Sequence, residues 1–464
     1  MKKYFLIPIL TSLLFTVSCS DQLERLPIDS LVEETAFQSV SDLEAGLRGA
    51  LGGLNPDNMI AFNAIFADNA KLGVDNGGQQ LNLVNQILNP DTGDQGLWAN
   101  RYNIINRINR VLAAAETVTP SGAEASDYNN IVGQLRALRG YLHSELLIYY
   151  GLDITDPNAL GVVYQNFVAT SGSRERNTTG EVLTLIDADF TAAKNLITST
   201  DINFPTDDFI DFQNARIALY SGDYTTAITL ASGLIQKYPL ANPEQYKAMF
   251  GGDADATEVI WKFDNVQGAN NSVAGNFIFT GTGGNFIEMS NGLYESFDPA
   301  DVRFEVNVNP DSDPTGSDNT IGIYKYPPNG DALYINDYKV MRVSEMYLVR
   351  AEAYARSTAP NFSAAATDVQ SIRTIRESST ATPAAYASLS DAIADIMSER
   401  RVELAFEGHR YLDLKRMNNG ITRDARDCPG GIPCTINSGD ARFIFPLPLG
   451  EINGNTNITQ APGY

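Results

Sequence analysis

Glu399-Arg400-Arg401-Val402-Glu403-Leu404-Ala405-Phe406-Glu407-Gly408-His409-Arg410, running on through Tyr411-Leu412-Asp413-Leu414-Lys415-Arg416, is the stretch whose reading decides the fold. Glu399, Glu403 and Glu407 recur every four residues, so a helix carries all three on one face. Like charges on one face repel and need cationic partners. Arg400 and Arg410, each three residues from one of these carboxylates, are the expected partners in a buried ion-pair network. Gly408 is expected to stop the helix, and Leu412, Leu414 and Met417 start a second apolar stripe.

Toward the N-terminus the helical period returns repeatedly. Leu31 to Ala50 carries Ala36, Phe37, Val40, Leu43 and Leu47 at three-and-four spacing. Trp98 to Glu116 carries Trp98, Tyr102, Ile105, Ile108, Val111 and Leu112. Ile131 to Tyr150 and Glu181 to Ile197 read as two more helices. Between Asn214 and Pro239, the positions Ala215, Ala227 and Pro239 are spaced by twelve around a Ser221-Gly222-Asp223-Tyr224 turn. That spacing matches a tetratricopeptide unit, in which small residues let two helices cross closely and proline ends the second. Ser344 to Arg376 reads as another such pair. The expected fold class is therefore mainly α, a tetratricopeptide-like scaffold of helical pairs.

Two regions break the pattern. Asn55 to Gln95 and Gly251 to Asp337 are rich in Gly, Asn and Asp, with Glu258 to Phe263 as a short strand-like run. Loops this long in a compact protein are usually functional or disordered.

Long motifs near the end of the chain carry a resemblance. The run from Glu399 to Arg410, followed by Asp413-Leu414-Lys415-Arg416, resembles the C-terminal signature of the SusD/RagB family of outer-membrane nutrient-binding lipoproteins. Phe445-Pro446-Leu447-Pro448, Glu451, Asn457 and Gln460-Ala461-Pro462-Gly463-Tyr464 resemble its terminal segment, with Ala461 standing where the family usually has Asn. Arg139-Gly140-Tyr141-Leu142-His143 and Tyr149-Tyr150-Gly151 resemble a further family element. The resemblance implies a SusD-like fold whose ligand-binding subregion is loop-rich and irregular. It also implies capture of a nutrient, an oligosaccharide or alternatively an oligopeptide, beneath a lid that delivers it to a SusC-like TonB-dependent transporter.

The N-terminus agrees with export. Lys2 and Lys3 precede an apolar run from Tyr4 to Val17, too short for a permanent membrane span. Ser18-Cys19 resembles a lipobox, with Thr16 where that motif usually has Leu. Cys19 is the expected lipidated residue, and an ordinary cleaved signal is the alternative. Residues 1–18 are then a signal peptide and 19–30 a lipidated tether. The mature part divides into an N-terminal helical region, 31–250, and a C-terminal region with the ligand-face loops, 251–464. The expected location is the outer membrane, facing the exterior, attached through the lipid anchor only.

Composition sets the exclusions. A net charge of −23 disfavours nucleic acid as a partner, because phosphate binding needs clustered Lys and Arg. His143 and His409 are the only histidines, and both read as structural, so no Ser-His-Asp arrangement assembles. Glu399, Glu403 and Glu407 have arginines beside them, which depresses a carboxylate pKa and spoils a general acid. Neither an enzyme such as a glycosidase nor a structural tetratricopeptide adaptor is the first reading. No cofactor or metal is expected: Asp311, Asp313, Ser317 and Asp318 miss the EF-hand spacing, and Gly281-Thr282-Gly283-Gly284 lacks the Lys of a phosphate loop. Cys428 and Cys434 flank five residues and, in an exported protein, are expected to form a disulfide. Sugars offer CH faces for aromatic stacking and hydroxyls for amide and carboxylate partners. The candidate ligand-binding residues are Asp68, Asn69, Asp75 and Asn76 in the first loop, with Tyr294, Tyr324, Tyr326 and Tyr334 in the later ones. Trp98 and Trp261 are expected in the core.

Overall fold

A computed structural model describes residues 36–54, 56–91, 95–170, 172–265, 273–277, 285–327 and 335–464. Cys19 and Tyr334 lie outside the described residues. The architecture is mainly helical, as the periodicity predicts. Principal helices are α1 Val40–Leu51, α2 Pro56–Ile65, α3 Leu97–Ala115, α4 Ala125–Tyr150, α5 Thr179–Lys194, α6 Asp207–Ser221, α7 Tyr224–Lys237 and α8 Pro243–Gly251. There follow α9 Val343–Arg356, α10 Phe362–Ile375, α11 Leu389–Glu403, α12 Arg410–Arg416 and α13 Leu449–Gly454.

Local chemistry explains most boundaries. α1 begins behind Ser39, where Ser39 and Asp42 form a reciprocal capping box. The tetratricopeptide turn falls where expected: Gly222 caps α6 at φ +89°, a backbone that side chains rarely tolerate, and the Asp223 side chain accepts from the Thr226 amide at 3.1 Å to start α7. Ala215 and Ala227 are fully buried where α6 and α7 cross. The pairs α4/α5, α6/α7 and α9/α10 stack, with α7 also packed on α9. Between α4 and α5 the approach is close at Gly140, where an added Cβ would sit 2.7 Å from the Phe190 ring.

Sheet is confined to antiparallel two-stranded ribbons: β1 Ala70–Leu72 with β3 Ile287–Met289, β2 Val259–Phe263 with β4 Tyr338–Arg342, and β5 Ile421–Thr422 with β6 Thr435–Ile436. A Cys428–Cys434 disulfide closes the loop beside the last ribbon. One apolar core runs from Val40 to Ile458 and contains both tryptophans, Trp98 at 3% and Trp261 at 0% exposure. No helix among the described residues is long and apolar enough to cross a membrane.

Helix α11 ends at Glu403, five residues before Gly408. The backbone turns through Phe406 at φ +58° and Gly408 at φ +89°, and the turn is held from outside, because the buried Tyr326 hydroxyl donates to the Phe406 carbonyl at 3.0 Å. That partner lies eighty residues upstream, so no local sequence signal announces the earlier stop.

Candidate ligand-binding face

The carboxylate stripe anchors the region. Glu399 is bound by Arg303 at 2.5 Å and Arg373 at 2.7 Å; Glu403 by Arg303 at 3.1 Å, Arg342 at 2.9 Å and Arg376 at 2.9 Å; Glu407 by Lys325 at 2.5 Å and Arg342 at 2.7 Å. Glu258 joins through Arg342 and Arg376, and Asp301 through Arg303. Five carboxylates therefore meet five cations, all buried. Burial opposes ionisation of Glu403, but Arg376, Arg342 and Arg303 outweigh it and hold its pKa well below the usual carboxylate range. The buried network is present, but the neighbours expected to complete it face elsewhere. Arg400 pairs with Asp413 at 3.0 Å and Arg410 with Asp68 at 2.6 Å. On α11 and the turn after it, the arginines point away from the stripe, and cations from β4, α10 and the loop region fill its face.

Those displaced arginines position the first loop. Arg410 grips the Asp68 carboxylate through two nitrogens at 2.6 and 2.8 Å, and Arg401 donates to the Asn69 side chain at 2.9 Å and the Asp68 carbonyl at 2.7 Å. Burial would raise the Asp68 pKa, yet Arg410 and Arg401 bring it down to about 2. Asp68 and Asn69 are thus both buried and both occupied by intramolecular partners.

Parts of the two loop-rich regions meet. β1 pairs with β3 in the register Ala70 to Met289, and the Met289 amide donates to the Ile321 carbonyl at 2.9 Å. Residues 70–72, 287–290 and 319–323 therefore lie side by side. A buried polar knot ties them: Lys71 binds Asn319, Asn319 and Asn291 exchange amide hydrogen bonds at 2.8 and 2.9 Å, and the Asn291 side chain donates to Asp427 at 2.6 Å. Sequence reasoning missed Lys71, Asn291 and Asp427. Lys71, a charged residue in an otherwise apolar run two positions after Asn69, was the available signal.

Asn76 is buried and shapes the following turn, accepting from the Gly78 amide at 3.0 Å and donating to the Phe286 carbonyl at 2.8 Å. Asp75 is exposed, beside Val74 at 55% exposure. Tyr294 is half-buried against Phe304, and Tyr324 is half-buried with its amide donated to Asn307. Tyr326 is buried and lines a partly open cavity of about 80 Å3 shared with Tyr141, Tyr149, Tyr220 and Tyr338. Asp75, Tyr294 and Tyr324 are the predicted side chains, among those described, that keep surface on this face.

Both histidines are held neutral. Burial lowers the His409 pKa to about 4 against the pull of Glu345, and lowers that of His143 to about 3. His143 Nε2 accepts from the Gln165 amide at 2.9 Å while Nδ1 lies 2.9 Å from the Arg139 carbonyl, so Nδ1 carries the proton. Ion-paired carboxylates and neutral, engaged histidines suit recognition better than proton transfer.

A model for the SusD family matches residues 256–464, and a second, described as starch-binding associating with outer membrane, matches residues 25–209. The chain belongs to the SusD family. Two SusD-like proteins of Formosa agariphila, P2 and P38, are 23% and 24% identical to it, each covered over the whole of both chains. The SusD fold extends to solved structures. A putative sugar binding protein from Bacteroides vulgatus superposes with a TM-score of 0.78 at 22% identity, over 93% of this chain and 100% of that one. A laminarin binding SusD-like protein superposes at 0.70 and 18% identity, over 92% of this chain and 100% of that one.

Proposed function

We propose that this SusD-family chain is a glycan receptor without catalytic chemistry, anchored to the outer membrane through acylated Cys19 and facing the exterior. It captures an oligosaccharide at the face built on β1, β3 and residues 319–326 and delivers it, as a lid, to a SusC-like TonB-dependent transporter. The observation that carries the reading is the meeting of residues 70–72, 287–290 and 319–323, beside which Glu399, Glu403 and Glu407 are all paired with buried cations. Asp75, Tyr294, Tyr324 and the further loop residue Tyr334 are the proposed contacts; Asp68, Asn69, Asn76 and Tyr326 shape the loops and turn that present them. Support also comes from a relative described as laminarin binding and another, from Bacteroides uniformis, described as a surface glycan-binding protein. Closure follows from linkage: a ligand touching both partners only in the closed state stabilises that state.

Isothermal titration of the mature chain against neutral glycan oligomers and against oligopeptides tests the proposal. Saturable heat with a glycan and none with peptides is expected. Binding of peptides alone moves the reading to an oligopeptide receptor, and release of shortened glycan products shows an enzyme instead.

A further inference from the structure

A second recess lies outside the β1–β3 face. α3, residues 163–170 and 172–174, and α13 border a recess of about 250 Å3, just under the usual ligand-pocket range of about 300–1,000 Å3 and so sized for one or two sugar rings. Its apolar wall is Trp98, Tyr102 and Phe167. Trp98 packs on Tyr102 at 4.6 Å, and the Tyr102 hydroxyl donates to the Val163 carbonyl at 2.7 Å, fixing the wall.

Two charged groups of opposite sign border this wall. Glu451 takes the Trp98 indole N–H on one oxygen at 3.2 Å and the Asn455 amide on the other at 3.1 Å. Each oxygen keeps a lone pair beyond that bond. Arg174 is exposed, its guanidinium stacked over the Phe167 ring at 4.3 Å. It has no carboxylate partner among the described residues, while its backbone is pinned on both sides by Asn455 at 2.9 Å. Stacking on one ring and a pinned backbone orient a fork of donors that no described side chain uses.

We infer that this recess is a second saccharide-binding site, taking one or two rings of a neutral pyranose glycan. The aromatic wall suits the CH face of a sugar ring. Glu451 accepts from a hydroxyl on one side and Arg174 donates to a hydroxyl on the other. An anionic ligand meets Glu451, and a cationic one meets Arg174, so neither sign is favoured. An additional site of this kind would let the protein hold a long chain at two points, raising avidity without any change at the loop face.

The chain supplies its own reporter. Its two tryptophans are Trp98, in this wall, and Trp261, fully buried in the core, so the loop face contains no indole. Fluorine NMR of the 5-fluorotryptophan-labelled mature protein therefore separates the sites. The probes are neutral hexose oligomers of gluco, manno and galacto type. The expected result is a saturable shift of the Trp98 resonance with at least one oligomer and a still Trp261 resonance. Arg174→Ala and Phe167→Ala, both at surface positions, should each weaken that response about tenfold. Glu305→Ala, at an exposed position paired with Lys247 and in neither site, should leave it unchanged.

No Trp98 shift with any oligomer overturns the inference, as does a shift that survives both recess variants or appears only with peptides. Calorimetric binding with a silent Trp98 would confine recognition to the loop face, sinking the second site and sparing the first. A Trp98 response without loop-face binding would do the reverse.

Discussion

Glu403→Gln is the most demanding test of the ion network. Glu403 is fully buried and faces three guanidinium groups, those of Arg303, Arg342 and Arg376. Neutralising it leaves Arg303, Arg342 and Arg376 buried with one carboxylate fewer among them. Removing one partner of a buried charge cluster typically costs about 3–5 kcal/mol, because the surviving charges stay desolvated. With an unfolding entropy of about 2.1 cal/mol/K per residue, a domain of roughly 400 residues has about 0.8 kcal/mol/K, so the melting temperature should fall by about 4–6 °C. Glu295→Gln is the control. Its partner Arg426 is 49% exposed and Glu295 itself 56%, and such surface pairs contribute less than about 1 kcal/mol. Scanning calorimetry with chemical denaturation measures both variants. The pH dependence carries a sign: the folded pKa of Glu403 lies well below the ordinary glutamate value of about 4.5, so the unfolded chain binds the extra proton between the two values. The carboxylate's contribution is whole above about pH 4.5 and is lost as the pH falls toward the folded pKa. The wild type should therefore lose stability on acidification more steeply than Glu403→Gln. A variant within about 1 kcal/mol of wild type at pH 7 would refute the idea that the stripe is held by charge.

Three other outcomes are expected. Gly408→Ala should destabilise by about 1–2 kcal/mol through its left-handed backbone alone, since the nearest atom to the new Cβ is an ordinary contact with Ile60 at 3.6 Å; Gly49→Ala, mid-helix with open space around it, should stabilise by about 0.5–1 kcal/mol; a melting series compares them. Reducing the Cys428–Cys434 bond, which closes a loop of sequence separation 6, should cost about 2 kcal/mol, read by denaturant titration with and without reductant. Cys19→Ser should move the protein out of the outer-membrane fraction and abolish labelling by a fatty-acid analogue, and its retention there would count against acylation.

Elements governed by neighbours in sequence were legible. α3 and the α6–α7 hairpin follow from apolar spacing and from Gly222 and Asp223, whose effects reach no further than one turn. The stripe at Glu399, Glu403 and Glu407 was readable as needing cations, but its partners lie as far off as Arg303 and Lys325, and no periodicity encodes a contact across a hundred residues. The adjacent arginines misled because Asp68 and Asp413 compete for them. In the loop-rich regions, composition marked the long loops but not that residues 70–72, 287–290 and 319–323 would meet, nor which way each side chain turns. Asp68 and Asp75 look alike in sequence, yet one is clamped by Arg410 and the other faces solvent. Asn291 and Asp427 stayed hidden because their role exists only once β1 and β3 have paired.

Phe445 packs against Phe62 at 4.7 Å and Tyr149 at 4.8 Å, and the Leu449 amide reaches back to the Pro90 carbonyl at 3.1 Å. The last twenty or so residues are therefore a keystone for helices made near the beginning. A chain made from its N-terminus must wait, half-assembled, until its final segment arrives. Deleting everything after Gly439 should leave the earlier helices open to protease, however well the stacked pairs have formed.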